Sequence, residues 1–402
     1  MSINKLPRIN NDLTQKDIKI QFSEERQENY ICKTLSFYLN KVKGKIDKYS
    51  TEWDNFKKIT NNYEYIHTTM PNSKYSISKL KPLSRAFYKL IEICNIFELL
   101  KKYENKQLTS FHLADGPGGF IEAINFLRKN TRDSYHAITL LDDDNDSIPG
   151  WKKSSLFLRK NKHIKIEKGI DGFGNLYNPE NFKYFGRVMK NNVDFITADG
   201  GFDFSINFNN QETMAIRLIF TEVIYAIMLQ KKGGSFIIKM FDIFLKSSVD
   251  ILYLLSSMYE NIYICKPNTS RIANSERYIV CVNFKYDNID HLFNKLYTIL
   301  KVLDHDNMKS SLMQSILNIQ YPYKFKQSIE EINSIIGGQQ IDNILTTIRF
   351  IENKERRGEK IQQIKDNNVQ KCINWCIKNK IPHHKIQQNT NIFMTNRKIT
   401  LQ

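Results

Sequence analysis

Paired cysteines are missing from this sequence: the six present, Cys32, Cys94, Cys265, Cys281, Cys372 and Cys376, form no CxxC pair. Such scatter argues against a disulfide framework and for a reducing compartment, so a cytosolic or nuclear setting is expected. Long apolar runs are missing too. The greasiest stretch, LIFTEVIYAIML at 218–229, is short and carries Glu222, and the opening MSINKLPRINNDLTQKD has no apolar segment. Neither a signal peptide nor a membrane span is expected. No internal repeat is visible, and low-complexity sequence is confined to short Asn/Lys runs and DDDND at 142–146.

Acidic residues are in deficit. Asp and Glu number 42 against 59 Lys and Arg, leaving a formal charge of +17. A field of that sign attracts polyanions, of which nucleic acid is the commonest. Excess lysine, with Asn and Ile, is also what an AT-rich genome encodes. Against these absences stand 41% hydrophobic and 12% aromatic residues in a chain of 402. That is enough to bury a substantial core, as one large catalytic domain with flanking elements or as two to three domains.

The texture changes twice along the chain. Residues 1–80 read as a helical, lysine-rich leader, 81–286 as an α/β domain and 287–402 as a mainly helical extension. In the leader, FSEERQENYICKTLSFYLNKVKGKI has helical periodicity, with Ser23 as N-cap and Glu24 and Glu25 suiting the positive end of the dipole. A helix over 83–104 leads into seven strand-like runs: 110–114, 135–141, 163–169, 193–198, 234–240, 261–266 and 277–284. Helical stretches at 120–129, 179–191, 211–232 and 247–260 separate them, the mark of a doubly wound parallel sheet. The link KPNTSRIANSE is too short for a helical crossover, so the last strand is expected to run antiparallel. In the extension, HLFNKLYTILKVL, SLMQSILNI and SIEEINSIIGG read as helices.

Between the first strand and its helix, SFHLADGPGGFIEAI sets Gly116, Pro117, Gly118 and Gly119. Glycines there let a ligand approach the backbone and the helix N-terminus at the carboxyl edge of the sheet, although such a turn also serves purely as tight backbone. A GxGxxG dinucleotide site would need glycine where Ile121 stands. S-adenosylmethionine has no pyrophosphate to cradle and does not need it. Asp142 to Asp144, ending the second strand, are placed either to accept from ribose hydroxyls or to form a solvated acidic loop.

Four polar residues are expected at the same edge. Asp199 ends VDFITA, Lys239 lies near the end of GSFIIKM, Glu276 stands at the entrance to the last strand, and Lys89 is on the helix before the first. A lysine inside the apolar run SFIIKMF needs a partner or a function. Two amines and two carboxylates at a nucleoside-type site suit methyl transfer from a sulfonium to a ribose hydroxyl. The hydroxyl needs a base within hydrogen-bond reach, and a neutral amine can serve. Neighbouring cations and burial lower the pKa of Lys239 while the two acids raise it, which leaves the net direction open.

ADGPGGF, ITADGGF, FIIKMFDIF and KPNTSRIANSERYIV together resemble the FtsJ-like RNA 2′-O-methyltransferases, and within them the Adrift-type cap ribose methyltransferases of animals, protists and large DNA viruses. The likeness runs over roughly 80 to 285. It implies a Lys-Asp-Lys-Glu tetrad at Lys89, Asp199, Lys239 and Glu276, with Lys239 as general base. It also implies S-adenosylmethionine as cofactor, the capped 5′ end of mRNA as substrate, and strands ordered 3-2-1-4-5-7-6. Cofactor contacts are implied for Ser84, for Ala114, Asp115, Gly116, Pro117, Gly118, Gly119 and Phe120, for Asn175 and Leu176, and for Asp199. The capping or transcription machinery is the implied protein partner. A viral chain would work in the host cytoplasm, a virus factory or the virion.

Two positions depart from the family's pattern: His112 stands where Asp is common, and Asn175 replaces an acidic cofactor contact. The aromatics Tyr63, Tyr65 and Tyr75 of the leader are candidates for stacking on RNA or its cap. Cys372, Cys376, His383 and His384 sketch a zinc site, but adjacent histidines ligate one ion poorly and Cys372, Trp375 and Cys376 also suit a packed face; no metal is expected. Two other readings are a non-catalytic RNA-binding subunit of a capping or polymerase complex, which loss of a tetrad member would favour, and methylation of uncapped ribosomal or transfer RNA. All four tetrad positions are filled.

Overall fold

A computed structural model describes residues 1–25, 27–142, 145, 148–201, 210–305, 311–388 and 399–401. The leader contributes β1 (Ser2–Lys5), β2 (Ile18–Ser23), α1 (Lys33–Gly44) and α2 (Ser50–Ile59). The middle of the chain alternates α3 (Ala86–Ile96), β3 (Thr109–Leu113), α4 (Gly119–Arg128), β4 (Ser134–Ile138), α5 (Ser155–Lys160), β5 (Ile164–Glu167), α6 (Pro179–Val188), β6 (Val193–Ala198), α7 (Gln211–Leu229), β7 (Gln230–Met240), α8 (Lys246–Met258), β8 (Tyr259–Lys266) and β9 (Arg277–Phe284). The extension adds α9 (Asp290–Asp304), β10 (Leu312–Leu317), α10 (Tyr323–Glu352), α11 (Gly358–Lys378), β11 (Ile386–Gln388) and β12 (Ile399–Leu401).

The main sheet has the order β1-β8-β9-β7-β6-β3-β4-β5. Pairs among β5, β4, β3, β6 and β7 are parallel, whereas β9 is antiparallel to both β7 and β8. Its seven middle-region strands therefore follow 3-2-1-4-5-7-6 with the last reversed. This topology brings the carboxyl ends of β3, β6 and β7 side by side, where an open α/β sheet binds its ligand.

An eighth strand corrects the expectation of seven. β1 pairs antiparallel with β8, Ser2 opposite Lys266 and Lys5 opposite Tyr263, and covers what would be an open edge. The leader is thus not simply helical. Ser23 ends a strand instead of capping a helix, and the first helix begins at Lys33. Ile18, Ile20 and Phe22 alternate with polar residues at period two, and pairing with β10 overrides the helical signal that follows. For the same reason SLMQSILNI, expected as a helix, supplies β10. Its Ile316 N–H donates to the buried Asp250 carboxylate of α8 at 2.7 Å.

Both sheet faces are buried. One apolar cluster joins Phe111, Ile196 and Ile238 of the sheet to Leu6, Ile9 and Leu13 of the leader and to Leu292, Leu296 and Ile336 of the extension. The other packs Phe87, Leu90 and Tyr278 against Trp375 and Cys376 of α11. Gly337 of α10 faces Leu35, whose side chain lies 3.1 Å from where a Cβ would be, so glycine permits the close approach of α1. A buried polar network ties the segments together. Asp242 accepts from Lys43 of α1 at 2.9 Å and from Arg277 of β9 at 3.2 Å, and Arg277 donates to Asn333 of α10 at 2.9 Å. Among the described residues no helix is long and apolar enough to cross a membrane.

Candidate active site

At the end of β3 the chain turns sharply at Ala114, whose φ of 49° is left-handed. The buried Asp115 carboxylate accepts from the N–H groups of Phe120 at 3.0 Å and Ile121 at 2.8 Å, which fastens the turn to the first residues of α4. Burial pushes this carboxyl up to about 8 against those two donors. Gly118 has φ +105°, a backbone that favours glycine, and a Cβ on Gly119 would collide with the Ser84 hydroxyl. Phe120 is fully buried in the core.

A cavity of about 490 Å³ opens beside this turn. Ser84, Ala114, Gly116, Pro117, Asn175 and Leu176 line it, and so do Lys89, Asp199, Lys239 and Glu276. The structure thus brings these ten expected residues to one space. Asp115, Gly118, Gly119 and Phe120 are instead placed behind the turn, where they shape it. Asn175 accepts from the Tyr177 N–H at 3.0 Å and orders its own loop. Asp143 and Asp144 lie outside the described residues, and Asp142 is half-buried.

The four polar side chains are 7% to 15% exposed. Lys239 Nζ donates to the Asp199 carbonyl at 2.7 Å and stands 3.2 Å from the Asp199 carboxylate. Lys89 Nζ donates to Glu276 at 2.7 Å. Tyr278, directly opposite Lys239 in the β7–β9 register, joins the pairs: its hydroxyl donates to Asp199 at 3.2 Å and accepts from Lys89 at 3.5 Å. Gly200 and Gly201 hold the Asp199 turn close, with the Gly200 N–H donating to Glu222 at 3.1 Å and Lys239 Nζ 3.1 Å from where a Cβ on Gly201 would stand.

Charge within the cluster is uneven. Burial pushes Lys239 down, but Asp199, Glu276 and Glu222 together outweigh it and leave its pKa above the ordinary lysine value. Lys89 goes the other way: burial, helped by Arg85, wins over Glu276 and Asp199, and its pKa falls. Burial opposes ionisation of Glu276 as well, yet Lys89, Lys239 and Lys266 hold its carboxyl well below the usual range. The direction left open by the sequence is thus upward for Lys239, which favours its cationic form.

Several participants were not singled out from sequence. Tyr278 lies two residues beyond Glu276, just inside β9, so period-two alternation continued back from the strand could have found it. Lys266, lowered to about 7 by burial, donates to the carbonyls of Asn274 and Glu276 at 2.7 Å and braces the loop carrying Glu276. Ser270 donates to the second Glu276 oxygen at 2.8 Å. His112 is a buried sheet residue between Ser110 at 2.9 Å and Thr197 at 2.7 Å, with its pKa lowered to about 3 chiefly by burial. Tyr65 is buried in the core and Tyr63 is half-buried against it, whereas Tyr75 is exposed. Cys372 and Cys376 are buried beside Trp375, whose ring centroid lies 5.9 Å from that of Tyr88.

The profile of the FtsJ-like methyltransferase family matches residues 82–284. A Drosophila melanogaster protein named cap-specific mRNA (nucleoside-2′-O-)-methyltransferase 2 is 28% identical over 348 residues, 79% of this chain and 46% of that one. The Danio rerio protein of the same name is 28% identical over 358 residues, covering 83% and 45%. A Xenopus laevis cap-specific mRNA (nucleoside-2′-O-)-methyltransferase 1 is 32% identical over 243 residues, covering 56% and 28%. The chain spans less than half the length of each of these relatives.

Proposed function

The chain belongs to the FtsJ-like methyltransferase family, and from that premise we propose that it methylates the ribose 2′-hydroxyl of the first or second transcribed nucleotide of capped mRNA, with S-adenosylmethionine as methyl donor. The single observation that carries this reading is that Lys89, Asp199, Lys239 and Glu276 share one cavity with the glycine turn. At about 490 Å³ the cavity falls within the roughly 300–1,000 Å³ typical of small-ligand sites. Ser84, Ala114, Gly116, Pro117, Asn175 and Leu176 are the residues to hold the donor, with Asp199 at its reactive end. When bound, S-adenosylmethionine supplies an electrophilic methyl group on a cationic sulfur.

The protein's own work is to position and deprotonate the hydroxyl. Lys239 Nζ is the base, fixed in direction by the carbonyl and carboxylate of Asp199. As a cation in the free protein it must first give up its proton, and a positive charge placed beside it favours that loss. Lys89 and Glu276, paired at 2.7 Å and linked to Asp199 through Tyr278, orient the ribose and keep water out. The cap relatives support capped RNA over other RNA acceptors, and the net charge of +17 supports a nucleic acid as partner.

The test is transfer of a radiolabelled methyl group to capped RNA, to the same RNA uncapped, and to capped RNA already methylated at each candidate ribose. Label is expected in capped RNA alone, at one nucleotide, and Lys239→Ala should abolish it. No incorporation beside an active control enzyme would remove the reading, and equal labelling of uncapped RNA would remove its cap dependence.

A further inference from the structure

Helix α3 carries a second buried charge besides Lys89. One turn further along, Glu92 is 2% exposed and turns its carboxylate to the loop 266–276 that leads to Glu276. A carboxylate taken out of water needs donors around it. Glu92 finds three in two consecutive residues: the Asn268 N–H at 3.0 Å on one oxygen, and the Thr269 N–H at 3.1 Å and hydroxyl at 3.0 Å on the other.

The shape of the loop explains that choice. Ser270 donates its N–H to the Pro267 carbonyl at 3.1 Å, which closes a four-residue turn. Such a turn leaves the N–H groups of its two central residues, here Asn268 and Thr269, without a partner of their own. Glu92 takes both, and bonds to a carboxylate are the stronger kind. Ser270, the last residue of the turn, then donates its hydroxyl to one Glu276 oxygen at 2.8 Å, while Lys89 donates to the other at 2.7 Å. The two oxygens of Glu276 are thus held from one helix by two routes, directly by Lys89 and through the turn by Glu92. Arg85, four residues before Lys89, adds an N–H to the Thr269 carbonyl at 3.2 Å. Spacings of four and three place Arg85, Lys89 and Glu92 along one side of the helix.

We infer that Glu92 is a positioning residue for methyl transfer: by pinning the Pro267–Ser270 turn to α3 it fixes the register between Lys89 and Glu276, and it acts on the reaction through that pair alone. Glu92 lies outside the described lining of the catalytic cavity and has no contact of its own to offer the ribose. The role in the reaction rests on the methyltransferase reading; the clamp on the turn does not. A residue that merely supported the fold would lower activity by the same factor whatever side chain stood at position 276.

The test is a double-mutant cycle on the full chain, read as the single-turnover rate of methyl transfer to capped RNA in the wild type, Glu92→Gln, Glu276→Ala and the pair. Glutamine keeps the size of Glu92 but presents an NH2 group, which cannot accept, to one side of the turn. Glu92→Gln should lower the rate about tenfold, the worth of one hydrogen bond to a charged group. S-adenosylmethionine affinity, measured by calorimetry, should stay unchanged. Glu276 orients and is not the base, so Glu276→Ala leaves a slow rate that long incubations read, and there Glu92→Gln should have almost no further effect. Equal factors in the two backgrounds would overturn the positioning role. Ser270→Ala leaves the backbone of the turn intact and guards against a Glu92→Gln chain that does not fold. It should slow transfer about threefold, less than the loss of a bond to a charged group, and a wild-type rate would break the proposed link. Hydrogen exchange reads the clamp without any reaction: the Asn268 and Thr269 amides should exchange about tenfold faster in Glu92→Gln, and unchanged exchange would overturn it. Wild-type protein that transfers no methyl group would remove the proposed function, and exchange at those two amides then decides the clamp by itself.

Discussion

Lys239 and Asp199 meet twice, through the lysine ammonium and the aspartate carbonyl at 2.7 Å and through the ammonium and the carboxylate at 3.2 Å. Main chain and side chain thus fix Nζ together. Lys239→Met should lower the single-turnover rate of methyl transfer by about 10²–10⁴-fold, the usual worth of a positioned base. Binding of the methyl donor, measured separately, should change little. A variant that transfers methyl at the wild-type rate would end the assignment of Lys239 as base.

The direction of the Lys239 shift sets a pH dependence. With its pKa above the ordinary lysine value, the neutral form is scarce at neutral pH and grows as pH rises. The value of kcat/KM, which reports the free protein, should therefore climb through the alkaline range. Asp199 is the largest contribution raising Lys239. In Asp199→Asn the climb should begin at lower pH, from a lower plateau. A pH profile unmoved by that substitution would show that some other group titrates.

Tyr278 supplies a sharper probe, because its hydroxyl joins the two charge pairs. Tyr278→Phe keeps the ring in the buried core and removes both hydrogen bonds of the hydroxyl, at a cost to stability of about 1–3 kcal/mol. The rate should fall about tenfold with donor affinity intact. Unchanged turnover would mean that the Lys89–Glu276 and Asp199–Lys239 pairs act independently.

What the sequence revealed and what it hid follow from the range of the forces involved. The parallel strands, the turn at Gly116 to Gly119 and the placing of Asp199 and Lys239 at strand ends are local patterns, legible in short windows. β1 and β10 were missed because their pairing with β8 and β2 is non-local, and in β10 a short apolar run carries no period that separates strand from helix. Asp115 was expected at the ligand because it sits in the glycine turn. Its burial beneath α4 depends on two backbone N–H groups that no residue type announces.

Glu222 makes a prediction about stability. On α7, fully buried, it accepts from Gly200 while its other oxygen has no hydrogen-bond partner. Burial pushes its carboxyl from 4.5 up to about 8 against the pull of Lys239 and the Gly200 N–H. Between those values the folded chain keeps a proton that the unfolded chain has released, so stability falls as pH rises through the window. Glu222→Gln cannot titrate and still accepts from Gly200. Its melting temperature should fall less than that of the wild type between pH 5 and pH 8; parallel curves would show that Glu222 does not ionise there.

Asp242 tests whether leader and extension are integral to the catalytic fold. Its carboxylate takes Lys43 at 2.9 Å, Ser275 at 2.8 Å and Arg277 at 3.2 Å, and Arg277 in turn reaches Asn333. Asp242→Ala strands two buried cations, a loss of about 3–5 kcal/mol for a broken buried pair. Lys43→Met removes one cation and leaves Asp242 still paired with Arg277, so it should cost less, and the double variant should cost less than the sum. If residues 1–80 folded as a separate unit, Lys43→Met would leave the main urea transition where it was. Because Lys43 lies on α1, Arg277 on β9 and Asn333 on α10, the single shared carboxylate should instead make one cooperative transition move, with proteolytic cleavage in both flanking segments accelerating together in Asp242→Ala.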